Sequence, residues 1–260
     1  MATFLFDQTI FGPVISRRLG VSLGVNLLPN DTKLCSFDCL YCECGWNPNR
    51  KEHPVHLPRR MEVRSLLRQK LSEMKAGSLL PDVITFAGNG EPTMHPDFAD
   101  IIADTILLRN EFAPLSKIAV LSNSTMLHKQ RVVEALKSVN DNILKLDSGI
   151  QSTIELLNKP VGKFDLPALV DHLKKFEGAL IIQTMFLKGT FEDRFFDNTT
   201  EEEIESWMGL LKQIQPRSVM IYSLARDTPA ENLTGIKLSK LREIGKRVER
   251  ETSLSVQVTG

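Results

Sequence analysis

The sequence contains the stretch Cys35-Ser-Phe-Asp-Cys39-Leu-Tyr-Cys42, in which three cysteines follow one another with the spacing C-x3-C-x2-C. The fourth cysteine of the chain, Cys44, lies two residues further on. Four cysteines in 260 residues are too few for a disulfide scaffold. Cysteines this closely spaced indicate metal ligands or redox chemistry in a reducing compartment.

Three thiolates on one tight loop are suited to an iron-sulfur cluster. Each can bind a different iron of a cubic cluster, which leaves the fourth iron free to coordinate a substrate or cofactor. A zinc site with Cys44 as the fourth thiolate is the alternative. Structural zinc sites favour two separated pairs of ligands, and four thiols within ten residues can hardly form a tetrahedron. The spacing therefore favours the cluster.

Length and composition are those of an ordinary globular protein. Hydrophobic residues make up 42% of the chain and charged residues 25%, which excludes a disordered, collagen-like or coiled-coil chain. Lys and Arg together number 32, as do Asp and Glu, so the formal net charge is zero. The chain lacks the overall basic field of many nucleic-acid-binding proteins, and a local basic patch is compatible with this balance.

The first residues, Met1–Asp7, carry neither the basic region nor the long apolar stretch of a signal peptide. No apolar run elsewhere in the sequence has the length of a transmembrane helix. Together with the clustered cysteines, these features predict a soluble cytoplasmic protein.

Short apolar runs alternate with amphipathic stretches, which predicts strands of a buried parallel sheet alternating with helices. The predicted strands are Leu19–Leu27, Asp82–Ala87, Ile118–Leu121, Asn142–Leu146, Leu180–Phe186 and Ser218–Leu224. The predicted helices are Val63–Lys75, Asp97–Glu111, Lys129–Val139, Leu166–Phe176, Glu201–Gln213 and Lys240–Glu251. Six βα units fit a barrel or partial barrel, and equally a doubly wound open sheet. In both folds the functional site lies at the carboxyl ends of the strands, where the cysteines follow the first strand.

Other strand ends resemble those of the radical S-adenosylmethionine (radical SAM) superfamily, in which C-x3-C-x2-C holds a 4Fe-4S cluster and SAM chelates the open iron. The similar motifs are Tyr41 before the third cysteine, the glycine-rich end Phe86-Ala-Gly88-Asn-Gly90-Glu91-Pro92-Thr93, and the polar ends Leu121-Ser122-Asn123-Ser124 and Lys145-Leu146-Asp147-Ser148. The resemblance covers about residues 15–225 and implies an α/β fold, a partial (β/α)6 TIM-type barrel. We expect a single radical SAM domain over 1–260, with an N-terminal lead-in and a C-terminal helix and short strand around that core.

The resemblance also implies which residues form the site. The cluster ligands are expected to be Cys35, Cys39 and Cys42. The residues expected to contact SAM are Tyr41, Gly88, Asn89, Gly90, Glu91, Ser122, Asn123, Lys145 and Asp147. Cys44 is expected not to be a ligand, because a fourth thiolate would occupy the iron that SAM needs. No catalytic residue is assigned beyond the cluster.

The implied activity is that of a radical SAM enzyme. The cluster would cleave SAM reductively to a 5′-deoxyadenosyl radical, which abstracts hydrogen from a substrate that the sequence does not identify. A narrower likeness, in Arg17–Asn26, Cys42-Glu-Cys-Gly45 and Ile221–Arg226, is to an Fe-S oxidoreductase subgroup related to wyosine-type tRNA modification enzymes. The alternative is an iron-sulfur electron-transfer or binding protein without SAM chemistry.

The expected partners are a flavodoxin- or ferredoxin-like electron donor and a substrate that is either RNA or protein. The neutral net charge disfavours RNA, whereas the basic residues between Arg50 and Arg60 in the irregular loop Glu43–Arg60 favour it. A loop of this length is either a lid or binding loop or a solvated surface excursion. Arg17 and Arg18 face either solvent or an anionic substrate.

Overall fold

The computed structural model describes residues 4–16, 19–49 and 55–260. Its strands are β1 (Ile10–Ser16), β2 (Gly20–Val25), β3 (Val83–Phe86), β4 (Lys117–Ser122), β5 (Asp141–Lys145), β6 (Ile181–Met185), β7 (Leu187–Phe191), β8 (Arg194–Asp197), β9 (Ser218–Tyr222), β10 (Leu233–Gly235) and β11 (Ser255–Val258). Its α-helices are α1 (Arg60–Ala76), α2 (Phe98–Phe112), α3 (Gln130–Lys137), α4 (Gln151–Asn158), α5 (Leu166–Lys174), α6 (Glu201–Ile214) and α7 (Leu238–Thr252).

Eight strands form the main sheet in the order β1-β2-β3-β4-β5-β6-β9-β11, and β10, β7 and β8 form a small second sheet. From β2 to β11 the neighbouring strands of the main sheet run parallel, whereas β1 pairs with β2 as an antiparallel hairpin. At least one helix lies in each connection between successive parallel strands. The sheet forms a partial barrel, so the α/β barrel expected from the sequence is confirmed.

Alternate residues of each strand face opposite sides of the sheet. In β3, Ile84 and Phe86 belong to the large apolar core that also contains Leu67 and Leu71 of α1, four residues apart on one helix face. Val83, which precedes Ile84 and faces the opposite side of the sheet, belongs to a separate small cluster that contains residues of β4, β5, β6 and β9. The helices therefore cover one face of the sheet, and the other face lines the barrel.

Three features of the fold were not predicted: the edge strand β1, the helix α4 and the small second sheet. Strand β1 contains Gly12 and Pro13, which weaken a strand pattern in the sequence. Helix α4 has eight residues, of which Ile154, Leu156 and Leu157 are the large apolar ones, and these three are too few for a clear helical period. Thr200 caps α6 as expected, because its side chain accepts from the Glu203 N–H.

Arg17, Arg18 and the segment 50–54 lie outside the described residues, so the expectations about these basic residues are not addressed by the structure. Near the end of the irregular loop, the Pro58 carbonyl oxygen lies 2.9 Å from His95 Nε2. This contact ties the end of the loop to the segment that follows the glycine-rich end of β3. In the part of the chain that the structure describes, none of the helices combines the length and apolar character needed to cross a membrane.

Candidate functional site

The cysteine loop (residues 33–47) follows β2 and lies at the carboxyl ends of the parallel strands. Leu34 forms a β-bridge with Gly90, in which the Leu34 N–H donates to the Asn89 carbonyl at 2.8 Å and the Glu91 N–H donates to the Leu34 carbonyl at 3.1 Å. A Cβ at Gly90, whose φ is +139°, would lie 1.9 Å from the Leu34 carbonyl oxygen. Glycine is required at position 90 because the backbone of the cysteine loop occupies the space of a side chain.

The other side of the cysteine loop is fixed by the end of α4. The Leu40 N–H donates to the Leu157 carbonyl at 2.9 Å, and the Val161 N–H donates to the Ser36 carbonyl at 2.8 Å. The loop is thus held between β3 and α4 by backbone hydrogen bonds that involve no thiol.

The thiols of the loop receive hydrogen bonds from two side-chain amides. Asn123 Nδ2 lies 3.4 Å from Cys35 Sγ, and Asn158 Nδ2 lies 3.4 Å from Cys39 Sγ. Cys35 and Cys39 are buried and Cys42 is half-buried. Soft thiolate ligands on one loop, with N–H donors to the sulfurs, are the donor set that an iron-sulfur cluster requires. The residues present therefore fit such a cluster.

The zinc alternative receives no support from the geometry. Over residues 4–16, 19–49 and 55–260, no three His, Cys, Asp or Glu side chains converge closely enough to hold one metal ion. All four cysteines are among these residues. A cluster distributes its thiolates over different irons, so its ligands need not converge on a single point.

The cysteine thiols differ in their electrostatic surroundings. Burial raises the pKa of Cys35 and Cys39, because a thiolate loses its hydration there. The adjacent Cys44 thiol, with Lys33 as a further cause, lowers the pKa of Cys42 below its usual value. Cys44 Sγ itself lies 3.5 Å from the Gly88 carbonyl oxygen.

A lysine lies within the cysteine loop. The Lys33 side chain is 1% exposed, and its Nζ donates to the Gly45 carbonyl at 2.8 Å and to Asp38 Oδ1 at 3.1 Å. Burial opposes its positive charge, but the negative charges of the cysteine thiolates and Asp38 raise the pKa of Lys33 to about 12.

Glu91 joins the ends of β3 and β4. Its buried carboxylate accepts from Ser122 Oγ at 2.8 Å, from the Thr93 N–H at 3.1 Å, and from the Thr93 hydroxyl and the Asn123 N–H. Burial raises the pKa of Glu91, and these hydrogen bonds oppose the rise. The carboxylate thereby holds the backbone that aims the Asn123 amide at the Cys35 sulfur.

Asn89 differs from its neighbours because its side chain bonds backbone groups of the N-terminal segment and of the residues after β2. The Asn89 amide donates to the Pro29 carbonyl at 2.7 Å and to the Phe6 carbonyl at 2.8 Å, and it accepts from the Phe6 N–H at 2.9 Å. The side chain is completely buried. The Asn89 side chain is therefore not available to SAM, and its predicted contact with SAM stays a prediction for its backbone. The contacts predicted for Gly88 and Gly90 likewise stay predictions.

Tyr41, Lys145, Asp147 and Asn158 form one hydrogen-bonded group beside the cysteine loop. The Tyr41 hydroxyl donates to Asp147 and accepts from Lys145 Nζ at 2.6 Å. Asn158 Nδ2 lies 2.8 Å from Asp147 Oδ2 and 3.0 Å from the Tyr41 oxygen. Burial disfavours the charge on Lys145, but Asp147 and Cys39 more than offset this and raise the Lys145 pKa. The Lys145 side chain is 17% exposed, whereas that of Asp147 is fully buried.

A cavity of about 420 Å³ adjoins this group. Tyr41, Met185 and Tyr222 line it, and Glu43 and Arg226, which form an ion pair, stand among its more exposed residues. Its walls come from β1 at one edge of the main sheet and from the residues after β11 at the other. The cavity is therefore the gap where the partial barrel fails to close.

The predicted site residues are thus brought together at one end of the barrel, although their contacts with SAM remain predictions. Two neighbours of the cysteines were missed by sequence reasoning. Asn158 ends a helix that the sequence does not predict. Lys33 resembles any surface lysine in the sequence, and its position two residues before Cys35 is the one available signal.

The profile of the radical SAM superfamily matches residues 30–193, well over half of the chain. A protein named GTPase Obg from Brachyspira hyodysenteriae is 27% identical over 258 residues, which cover 98% of this chain and 35% of that protein. A UPF0026 protein from Helicobacter pylori is 28% identical over 222 residues, which cover 84% of this chain and 66% of the relative. The chain therefore spans about a third of the first relative and about two thirds of the second.

Solved structures share the fold at low identity. SuiB from Streptococcus suis bound to S-adenosylmethionine has a TM-score of 0.62 at 15% identity, covering 88% of this chain and 49% of that one. TYW1 with a lysine-pyruvate adduct has a TM-score of 0.60 at 14% identity, covering 89% of this chain and 74% of that one. Because the family profile matches residues 30–193, which include the cysteine loop, this chain belongs to the radical SAM superfamily.

Proposed function

We propose that this chain holds a 4Fe-4S cluster through Cys35, Cys39 and Cys42 and cleaves SAM beside it. The observation that carries the proposal is the three-cysteine loop fixed between β3 and α4, with amide donors to two of its sulfurs. When bound, the cluster supplies one electron to a carbon–sulfur bond of SAM, which gives methionine and a 5′-deoxyadenosyl radical that takes a hydrogen atom from the substrate.

The residues around the loop bind and orient SAM in this proposal. Lys145, as a partly exposed cation, attracts the SAM carboxylate, and the Gly88 backbone carbonyl accepts from the SAM ammonium. Asp147 accepts from ribose hydroxyls. Glu91 is a positioning residue, because its carboxylate is occupied by the ends of β3 and β4.

The cavity beside this group is the proposed place of hydrogen abstraction. Tyr41, Met185 and Tyr222 present large side chains to it. Such walls exclude water and keep competing hydrogen donors away from a reactive radical.

The substrate is proposed to be an RNA or a protein, and the reductant a flavodoxin- or ferredoxin-like protein of the cytoplasm. Motifs shared with the wyosine-related subgroup and the fold likeness to TYW1 support the first substrate class. The fold likeness to SuiB, whose structure with a precursor peptide is known, supports the second.

The test is an anaerobic reconstitution of the full chain. We expect the electron paramagnetic resonance spectrum of the reduced cluster to change when SAM is added, and we expect 5′-deoxyadenosine to form slowly without substrate. A cluster that neither responds to SAM nor cleaves it would instead support the iron-sulfur electron-transfer alternative.

A further inference from the structure

The buried ammonium of Lys33 has no role in the binding of SAM described above. Its Nζ lies within the cysteine loop, between the Gly45 carbonyl at 2.8 Å and Asp38 Oδ1 at 3.1 Å. Its side chain is 1% exposed, whereas that of Asp38 is 23% exposed. Burying a cation is costly unless negative charge compensates it, and one partly solvated carboxylate is weak compensation.

The compensating charge has a source in the same loop. Lys33 stands two residues before Cys35, and its Nζ donates to the carbonyl of Gly45, whose own N–H donates to the Cys42 carbonyl at 2.9 Å. Three thiolates outweigh the positive charge of an iron-sulfide core, so the assembled cluster is anionic, and an added electron makes it more so. Lys145, a half-buried lysine beside the loop, is already paired with Asp147 at 3.3 Å.

We propose that Lys33 provides the positive charge that stabilises the reduced state of the cluster and so raises its reduction potential. The inference rests on the proposed function, since it requires a cluster on the three cysteines. One electron passes from a low-potential one-electron donor to the cluster; the donor is oxidised, the cluster is reduced, and no proton moves. Net charge near a cluster is one of the factors that set its potential.

A purely structural role for Lys33 is the competing explanation, because Nζ also ties Gly45 to Asp38. The two roles separate by substitution. Lys33→Gln keeps a hydrogen-bond donor without the charge, Lys33→Met removes both, and Lys33→Arg keeps the charge. Lys117→Met is the matched control, because Lys117 is 64% exposed and lies at the opposite end of the sheet.

The experiment is a redox titration of the reconstituted full chain without SAM, followed by electron paramagnetic resonance, with iron content measured in parallel. At the potential where the parent is half reduced, we expect the reduced-to-oxidised ratio to fall tenfold or more in Lys33→Gln and Lys33→Met. For a one-electron couple this corresponds to a shift of about 59 mV. The reduced-to-oxidised ratio of Lys33→Arg should stay within threefold of the parent's ratio, and that of Lys117→Met should equal the parent's.

Each outcome of the titration either supports the role of the Lys33 charge or overturns it. Parent-like potentials in Lys33→Gln and Lys33→Met would overturn the inference, and so would loss of the cluster in all three Lys33 variants including Lys33→Arg. Loss of the cluster in the two neutral variants with retention in Lys33→Arg would support it, because charge alone separates them. A parent that binds no cluster would instead refute the proposed function, so the two failures are distinguishable.

Discussion

The two ends of the barrel carry polar side chains of different kinds. At the carboxyl ends of the strands, Asn123 and Asp147 are buried and bonded to a thiol or to a neighbouring buried group. At the amino ends, Lys117 and Arg217 are more than half exposed and pair with Asp141 at 3.7 and 2.6 Å. Yet the cavity at the amino ends, of about 870 Å³, is the larger one. Buried, mutually bonded polar groups therefore distinguish the end where the predicted site residues meet, whereas the size of the cavity does not.

The largest expected effect tests whether the carboxyl end is the functional one. Replacing Cys35, Cys39 or Cys42 by Ala should abolish the cluster, because three thiolates are the minimum set that leaves one iron open. Iron and sulfide analysis of anaerobically reconstituted protein should fall from about four of each per chain to background. Full iron content in any one variant would remove that cysteine from the ligand set.

Glu91→Ala should have the next largest effect. It leaves the buried Asn123 N–H and the Ser122 and Thr93 hydroxyls without their acceptor, which should lower the free energy of unfolding by about 2–4 kcal/mol. Because the turn then loses its position, SAM affinity should fall about tenfold while iron content is retained; a tenfold change is about 1.4 kcal/mol. Denaturant titration and SAM binding measure the two effects. Glu91→Gln, which keeps an acceptor, is the control, and it should lose less unfolding free energy and less SAM affinity than Glu91→Ala.

Tyr41→Phe probes the hydrogen-bonded group beside the loop. It removes the hydroxyl that accepts from Lys145 and donates to Asp147, at a cost of about 1–2 kcal/mol in unfolding free energy. SAM affinity should fall a few-fold, since Lys145 is then drawn closer to Asp147. Unchanged SAM affinity, measured beside the parent, would show that this group serves stability alone.

A change at the amino ends should do little. Arg217→Ala removes an exposed partner of Asp141, so the loss of stability should be about 0.5 kcal/mol. Iron content and SAM-dependent spectra should equal those of the parent. A loss of either would contradict the contrast between the two ends.

Cys44→Ser sharpens the comparison within the carboxyl end and should have the smallest effect. Cys44 lies beside the Gly88 carbonyl, and serine preserves a donor to that oxygen. Iron content, the response to SAM and 5′-deoxyadenosine formation should all be retained. Loss of the cluster in this variant would make Cys44 a ligand and favour an electron-transfer protein.

The sequence predicts the parallel strands and the residues at their carboxyl ends because both follow local patterns. Apolar runs of fixed length mark the strands, and cysteines, glycines and Glu91 cluster where those runs stop. What could not be predicted depends on contacts between distant segments. Asn158 reaches Cys39 across 119 positions, and only its position two residues before Cys35 distinguishes Lys33 from an exposed lysine.

The same limit applies to Gly90. The resemblance in the sequence predicts that Gly90 contacts SAM. In the structure the space of a Gly90 Cβ is taken by the Leu34 carbonyl oxygen, so the close approach is between two segments of the chain itself. A glycine in a motif indicates crowding, but it does not reveal which group is crowded against it.

The bridge between Leu34 and Gly90 also bears on whether the cysteine loop needs a bound metal in order to fold. In small zinc domains the binding of the metal supplies the folding free energy, so the apoprotein is unfolded. Here the loop that carries the cysteines is closed by backbone hydrogen bonds to the end of β3 and the end of α4, and none of these bonds involves a thiol. We therefore expect the loop to keep its position in the apoprotein, so that loading of the proposed cluster would not require the chain to unfold.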